Sequence, residues 1–304
     1  MVDVLHSENR SYLASSRTPE LIRRMTICHL CPRNCRVRRI FGETGDCGLA
    51  NNLLVHSYGL SHNQENVLSG TNGSGAIFFS GCELNCFYCS NYEISRLQRG
   101  HVIHAKELAD MMLQLQKHGA HNINLVTPTP QVLGIVEALS LAFNKGLSIP
   151  IVYNTGGYDS VETLKLLDGL IDIYLPDAKY GSDNRGNASG VGNYTTVNRS
   201  AMLEMKRQVG DLVVDEHGRA LRGLMVRHLI LPNSFADTET VLNWIASNLG
   251  TRTYVSLMPH YFPHWEAKRK PFWNRRISAE EYTRLLDYKY RLGLLRGYDQ
   301  ADEW

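Results

Sequence analysis

At 304 residues, with 43% hydrophobic residues and a formal net charge of +2, the chain is long enough for one large α/β domain plus an appendage, and its charge neither calls for nor excludes nucleic acid. No apolar run approaches the ~20 residues of a membrane span, and the opening MVDVLHSENRSYLASS is too polar for a secretory signal. The expected location is therefore the cytoplasm, where thiols stay reduced and clustered cysteines read as metal ligands rather than disulfides.

Residues 1–60 are expected to form an amino-terminal segment built around a metal knuckle. Cys28, Cys31, Cys35 and Cys47 are separated by two, three and eleven residues, with Gly42, Gly45 and Gly48 supplying the turns that fold Cys47 back. Four thiolates close a tetrahedral site, which suits structural zinc or a fully ligated auxiliary iron-sulfur cluster; spacing does not decide between them. Between Arg17 and Arg39, seven arginines (Arg17, Arg23, Arg24, Arg33, Arg36, Arg38, Arg39) face a single acid, Glu20. They read as the solvated surface of the knuckle, and without interleaved aromatics nucleic acid is not the expected partner.

From Gly75 onward short apolar runs alternate with helix-period segments, the pattern of parallel strands with crossover helices. Strands are predicted at AIFFS, INLVT, IPIVYNT, LIDIYLP, LMVRHLILP and TYVSLMP, with helices around residues 106–117, 131–144, 160–167, 197–208 and 238–248. About six units fall short of the eight of a closed barrel, so the expected fold of residues 61–265 is α/β, a partial, open parallel β/α barrel. Polar residues cluster where such folds collect their chemistry, at the carboxyl ends of the strands: Cys82 to Cys89, Thr127 and Thr129, Asn154 to Gly157, Asp177 and Lys179, and His260. Residues 181–194, GSDNRGNASGVGNY, read as a mobile loop at the rim, and VVDEHGRALRG as a hairpin-like turn at His217 and Gly218. Residues 266–304 form a carboxy-terminal helical extension, opened by the capping box of Ser278 and Glu281 and running to about Leu292.

Cys82, Cys86 and Cys89, in GCELNCFYCSN, form a C-x3-C-x2-C run that gives three thiolates to a cubane of four irons and leaves one iron without a protein ligand. An open metal position is where a substrate or cofactor binds. This spacing, with Tyr88 just before the last cysteine, resembles the signature of the radical S-adenosylmethionine enzymes. FFSGCELNCFYCSN is similar to the corresponding stretch of the pyruvate formate-lyase activating enzymes and their homologues, and the likeness runs from Gly75 to near Pro263.

The resemblance implies a site-differentiated [4Fe-4S] cluster on Cys82, Cys86 and Cys89, whose open iron chelates S-adenosylmethionine. Reductive cleavage then gives a 5′-deoxyadenosyl radical that abstracts hydrogen from a substrate. It further implies cofactor contacts from Tyr88, from Asn154 (where the relatives carry an Asp beside a monovalent cation), from Asp177 and Lys179 of a D-x-K motif, from Arg227 toward the methionine carboxylate, and from His260 near the adenine. Where the relatives end the second strand in a Gly-Gly-Glu type motif, this chain has VTPTPQ, so Thr127, Thr129 and Gln131 offer neutral groups to the ammonium. An electron donor such as flavodoxin or ferredoxin is the implied partner, with the glycyl loop of a partner enzyme as the implied substrate. Radical modification of a small molecule or peptide is the alternative, and a non-enzymatic iron-sulfur or zinc interaction module is the reading from another class.

Overall fold

The computed structural model describes residues 2–298, with side chains from residue 8 onward. In chain order the elements are α1 (Val2–Thr26), β1 (Leu53–Ser61), α2 (Asn66–Ser69), β2 (Ser74–Phe79), α3 (Tyr92–Ser95), β3 (His101–Ile103), α4 (Ala105–Lys117), β4 (Ile123–Val126), α5 (Val132–Asn144), β5 (Ile151–Thr155), α6 (Val161–Leu166), β6 (Ile173–Pro176), α7 (Tyr194–Val209), β7 (Val213–Val214), β8 (Ala220–Leu229), α8 (Thr238–Asn248), β9 (Tyr254–Met258) and α9 (Ala279–Arg291). No helix among the described residues is long and apolar enough to cross a membrane.

The six predicted strands are β2, β4, β5, β6, β8 and β9, and they pair in that order, each parallel to the next. Their residues are almost all buried, as expected for strands covered on both faces. The described sheet does not close: the edge of β2 away from β4 is taken by β1, which runs antiparallel to it and carries β3 on its other side. The architecture is therefore an open, mostly parallel α/β sheet, as the strand pattern predicts.

The amino-terminal segment departs from expectation. A boundary at residue 60 would cut through β1, and α1, which nothing in the periodicity of this polar stretch announced, lays Ala14, Leu21 and Met25 into the main core along α5. Arg10 pins α1 to the base of the sheet by donating to the Leu170 carbonyl (2.7 Å) and Asp172 (3.0 Å). Burial against α5 thus carries a helix whose own sequence is only weakly amphipathic.

Residues 181–194 are also different from the loop expected. They hold a 3-10 helix, Asp183–Ser189, and Ala188, Ser189 and Val191 are buried. The glycines permit close packing: a β-carbon on Gly186 would lie 2.5 Å from the Val191 carbonyl, and one on Gly190 (φ +69°) 2.9 Å from Asn85 Cβ.

At the carboxy end the capping box forms as read. The Glu281 amide donates to Ser278 Oγ (3.1 Å) and the Ser278 amide to Glu281 Oε2 (2.8 Å), with Leu292 as C-cap.

Candidate active site

Beyond β2 the chain turns at Gly81 (φ +82°) into the loop bearing Cys82, Cys86 and Cys89. Residues 181–194 act as its brace: the Asn85 amide donates to the Ser189 carbonyl (2.9 Å) and the Phe87 amide to that of Ala188 (3.3 Å). Each of two thiols has a hydroxyl beside it, Ser189 Oγ 2.9 Å from Cys86 Sγ and Ser95 Oγ 3.3 Å from Cys89 Sγ. Burial pushes the Cys86 thiol up to about 11, opposed by the Lys179 ammonium and aided by Cys89. Burial also raises Cys82 far above its ordinary value, with Glu83, Cys86 and Cys89 adding to the effect. Cys82 and Cys86 thus need a cation nearby to become thiolates, and Cys89 lies in the same electrostatic neighbourhood.

The four-cysteine knuckle lies against the back of this loop. A β-carbon on Gly81 would sit 2.9 Å from the Cys47 carbonyl, and Arg33 donates to the carbonyls of Glu83 (2.7 Å) and Gly190 (2.8 Å). Burial is the first cause that raises the thiols of Cys28, Cys31 and Cys47, with Cys35 adding to it at Cys28, Glu83, Cys47 and Cys28 at Cys31, and Cys28 and Glu83 at Cys47. Among the described residues, however, no three His, Cys, Asp or Glu side chains, whether in the knuckle or in the Cys82–Cys89 loop, are grouped as they would be around one metal ion. The arginine patch is not uniformly solvated either. Arg33 is the clamp just described, and Arg39 is 2% exposed with its guanidinium on the Ala50 carbonyl.

At the end of β4, Thr127 has φ +62°, a conformation that β-branched residues rarely adopt and that marks a constrained position. Thr129 turns inward and donates to Asp159 (2.7 Å), which also accepts from Thr155 (2.7 Å) and Tyr153 (3.2 Å). Gln131 is structural, its amide bracketing the Leu54 amide and carbonyl and reaching the Ser80 carbonyl.

After β6, Lys179 Nζ donates to Asp177 Oδ2 (2.5 Å). Burial alone would lower this lysine, but Asp177 and Cys86 hold it well above its ordinary value, so the ammonium persists beside the cysteine loop. Arg227, on β8, makes a fork onto Glu65 (2.6 Å for each bond) and reaches Gln64 (2.9 Å), with Asn154 Oδ1 at 3.4 Å. Its guanidinium already has a carboxylate, supplied from the turn before α2. Tyr88 is buried, hydrogen-bonded to Tyr180 (2.5 Å) and stacked on Trp273 (5.6 Å between centroids, 7° between planes). His260 lies exposed beyond β9.

Several residues of the site escaped the sequence. Glu83 is 1% exposed with its Oε1 unpartnered, and burial, then the neighbouring Asp159, lifts its carboxyl to about 8. Asp159 is buried and raised for the same first reason, against the pull of its three hydroxyl donors. Glu83 stood inside the cysteine motif, and an acid among thiolates was the available signal. Ser189 stood in the glycine-rich stretch, where nothing distinguished it.

Residues 76–215 match the family model of the Radical SAM superfamily. The uncharacterized protein MJ0674 of Methanocaldococcus jannaschii is 32% identical over 281 residues, covering 88% of this chain and 76% of that protein. The chain belongs to the radical SAM superfamily.

Among solved structures, native anSMEcpe with bound AdoMet and Cp18Cys peptide superposes with a TM-score of 0.50 at 14% identity over 72% of this chain. Streptococcus suis SuiB bound to precursor peptide SuiA gives 0.47 at 14% identity over 68%. The chain spans 60% of the first and 42% of the second, and its likeness to anSMEcpe is one of fold.

In this radical SAM chain the residue after Arg227 makes a separate, testable contribution. His228 is fully buried, with Nδ1 2.5 Å from the Ala178 carbonyl and Nε2 2.9 Å from Thr238 Oγ1, and burial lowers it to about 4. The Nδ1 proton is donated to the carbonyl and Nε2 accepts from the threonine, so the folded state holds a neutral ring. The unfolded chain takes up a proton below about 6.5 while the folded one does not until about 4, so stability is lost as pH falls through that window. Denaturant unfolding at about pH 8 and about pH 5 should show a loss of ~2 kcal/mol from this group, and His228→Gln should shrink the difference by that amount; an equal slope in the variant would refute the assignment.

Proposed function

We propose that the protein is a radical S-adenosylmethionine enzyme whose Cys82, Cys86 and Cys89 hold a site-differentiated [4Fe-4S] cluster. The single observation that carries this is the placement of Cys82, Cys86 and Cys89 on one loop at the carboxyl end of β2, within the stretch that matches the family model and beside the Lys179 ammonium. The donor set fits the group: three sulfurs suit a cubane with one open iron, and the orphaned, buried Glu83 Oε1 is an acceptor suited to an ammonium group such as that of the cofactor's amino acid portion. Bound together, cluster and cofactor would supply one-electron cleavage of the sulfonium and a carbon radical able to take hydrogen from a substrate.

The protein's own groups prepare that chemistry. Lys179, kept cationic by Asp177, favours the Cys86 thiolate, and the Ser189 and Ser95 hydroxyls can donate to the thiolates of Cys86 and Cys89. Thr127 and Asn154 line the strand ends where the amino acid portion of the cofactor would lie, with neutral oxygens to accept its protons. The Arg227 guanidinium, saturated by Glu65, contributes to the barrel floor first and to any cofactor carboxylate second.

The motif's resemblance to the activating enzymes supports a partner protein's glycyl loop as substrate, and a small molecule or peptide is the competing substrate. Anaerobic reconstitution followed by dithionite and S-adenosylmethionine should yield 5′-deoxyadenosine by chromatography; none above a cluster-free control would sink the enzyme reading. With a cognate glycyl-radical enzyme present, a protein radical by electron paramagnetic resonance is expected, and its absence with every cognate candidate would move the substrate to a small molecule or peptide.

A further inference from the structure

The segment after β9 carries a charge pattern that the proposed chemistry has not used. Residues 266–276, EAKRKPFWNRR, contain five basic residues (Lys268, Arg269, Lys270, Arg275, Arg276) and one acid (Glu266), so five minus one gives a net +4, against +2 for the whole chain. Arg275 is spent on Glu281, through two bonds of 2.7 Å. Lys268, Arg269, Lys270 and Arg276 are exposed, and among the described residues none of the four pairs with a carboxylate.

This strap is clasped to the cysteine loop itself. The Glu266 and Ala267 amides donate to the Phe87 carbonyl (3.1 and 3.3 Å), between Cys86 and Cys89 in sequence. Trp273 packs edge-on to Phe87 (4.8 Å) and flat on Tyr88, while Lys270 Nζ lies 5.1 Å from the Phe87 ring centre. Phe272, half exposed, has its ring centre 5.9 Å from that of Trp273, so these two rings lead from solvent to Phe87 and Tyr88, the residues between Cys86 and Cys89. The strap is also fixed from beneath: Tyr261 donates to the Trp273 carbonyl (2.9 Å) and Asn233 to that of Phe272 (2.7 Å).

We propose that the Lys268–Arg276 strap is the docking surface for an acidic one-electron donor protein, placing that donor's redox centre against Phe272 and Trp273. This rests on the proposed cluster at Cys82, Cys86 and Cys89. A transient redox encounter buries little area and depends on charge to raise its association rate, which is what an unpaired basic patch over a short aromatic path supplies. One electron passes from the reduced donor to the oxidised cluster; no bond is made or broken, and the donor leaves one electron poorer.

The experiment compares the reconstituted protein with its Lys268→Glu/Arg269→Glu/Arg276→Glu variant by anaerobic stopped-flow bleaching of the cluster, using reduced flavodoxin in one arm and dithionite in the other. The variant should be reduced by flavodoxin ~10² times more slowly at low salt, and raising the salt from about 20 mM to about 500 mM should slow the native protein but not the variant. Dithionite bleaching should be the same in both. Equal flavodoxin rates would overturn the proposal, including the case in which the substitutions instead release a bound RNA, and so would equal losses with both reductants. Failure of the enzyme reading would show separately, as bleaching without 5′-deoxyadenosine.

Discussion

Replacing Arg227 by Met is expected to destabilise the protein by about 3–5 kcal/mol, because it strands a buried carboxylate. Glu65 is 3% exposed, and although burial would raise its carboxyl, the Arg227 guanidinium holds it below its ordinary value and so ionised. Removing the cation leaves that charge in the barrel interior with only Gln64 and polar groups of the floor nearby. The Glu65→Gln/Arg227→Met double variant removes the charge as well and should recover most of the loss, giving a coupling energy of ~3 kcal/mol in a double-mutant cycle by urea unfolding at neutral pH. A single variant within ~0.5 kcal/mol of the native protein would show that the pair does not hold the floor. Cofactor affinity separates the two roles: if Arg227 also reaches a carboxylate of S-adenosylmethionine, the double variant regains stability without regaining affinity.

Gly157→Ala is expected to cost ~3 kcal/mol or more and to disturb the site from a position that carries no functional group. Gly157 has φ +76°, and a β-carbon there would lie 2.2 Å from the Asp177 carbonyl and 2.3 Å from Asn198 Nδ2. Those atoms belong to one knot: the Asp177 carbonyl accepts from Tyr194 (2.8 Å) and Asn198 (2.8 Å), and Asn198 also donates to the Gly157 carbonyl (2.9 Å). The close contact is with backbone, so it is relieved only by moving the end of β6, and with it Asp177 and Lys179. A lowered thermal midpoint together with weakened S-adenosylmethionine binding is the expected pair of results. Native stability in the variant would mean that the two strand ends can part at no cost.

The six parallel strands and the carboxy-terminal cap were legible because each is written over a few consecutive residues. Short apolar strand runs and the Ser278 to Glu281 offset need no knowledge of the rest of the chain. Residues 181–194 were misread because glycine serves both flexibility and close approach, and only the presence of Asn85 and Tyr194 against those glycines selects the second. The segment 1–60 was read as separate because α1 has a weak stripe of its own, and what orders it is the surface of α5, more than a hundred residues later.

What the sequence by itself determined about this protein is its inventory of chemistry and the strand ends that carry it. Tertiary structure alone decided which of those groups are engaged and which are left open. Arg227 meets Glu65 across 162 residues, Lys179 is kept charged beside Cys86, and Glu83 is sealed between two cysteine groups with one oxygen unmatched. The reason is physical: a side chain's charge state and partners depend on burial and on neighbours brought together by folding the whole sheet, and neither is encoded within reach of a local motif.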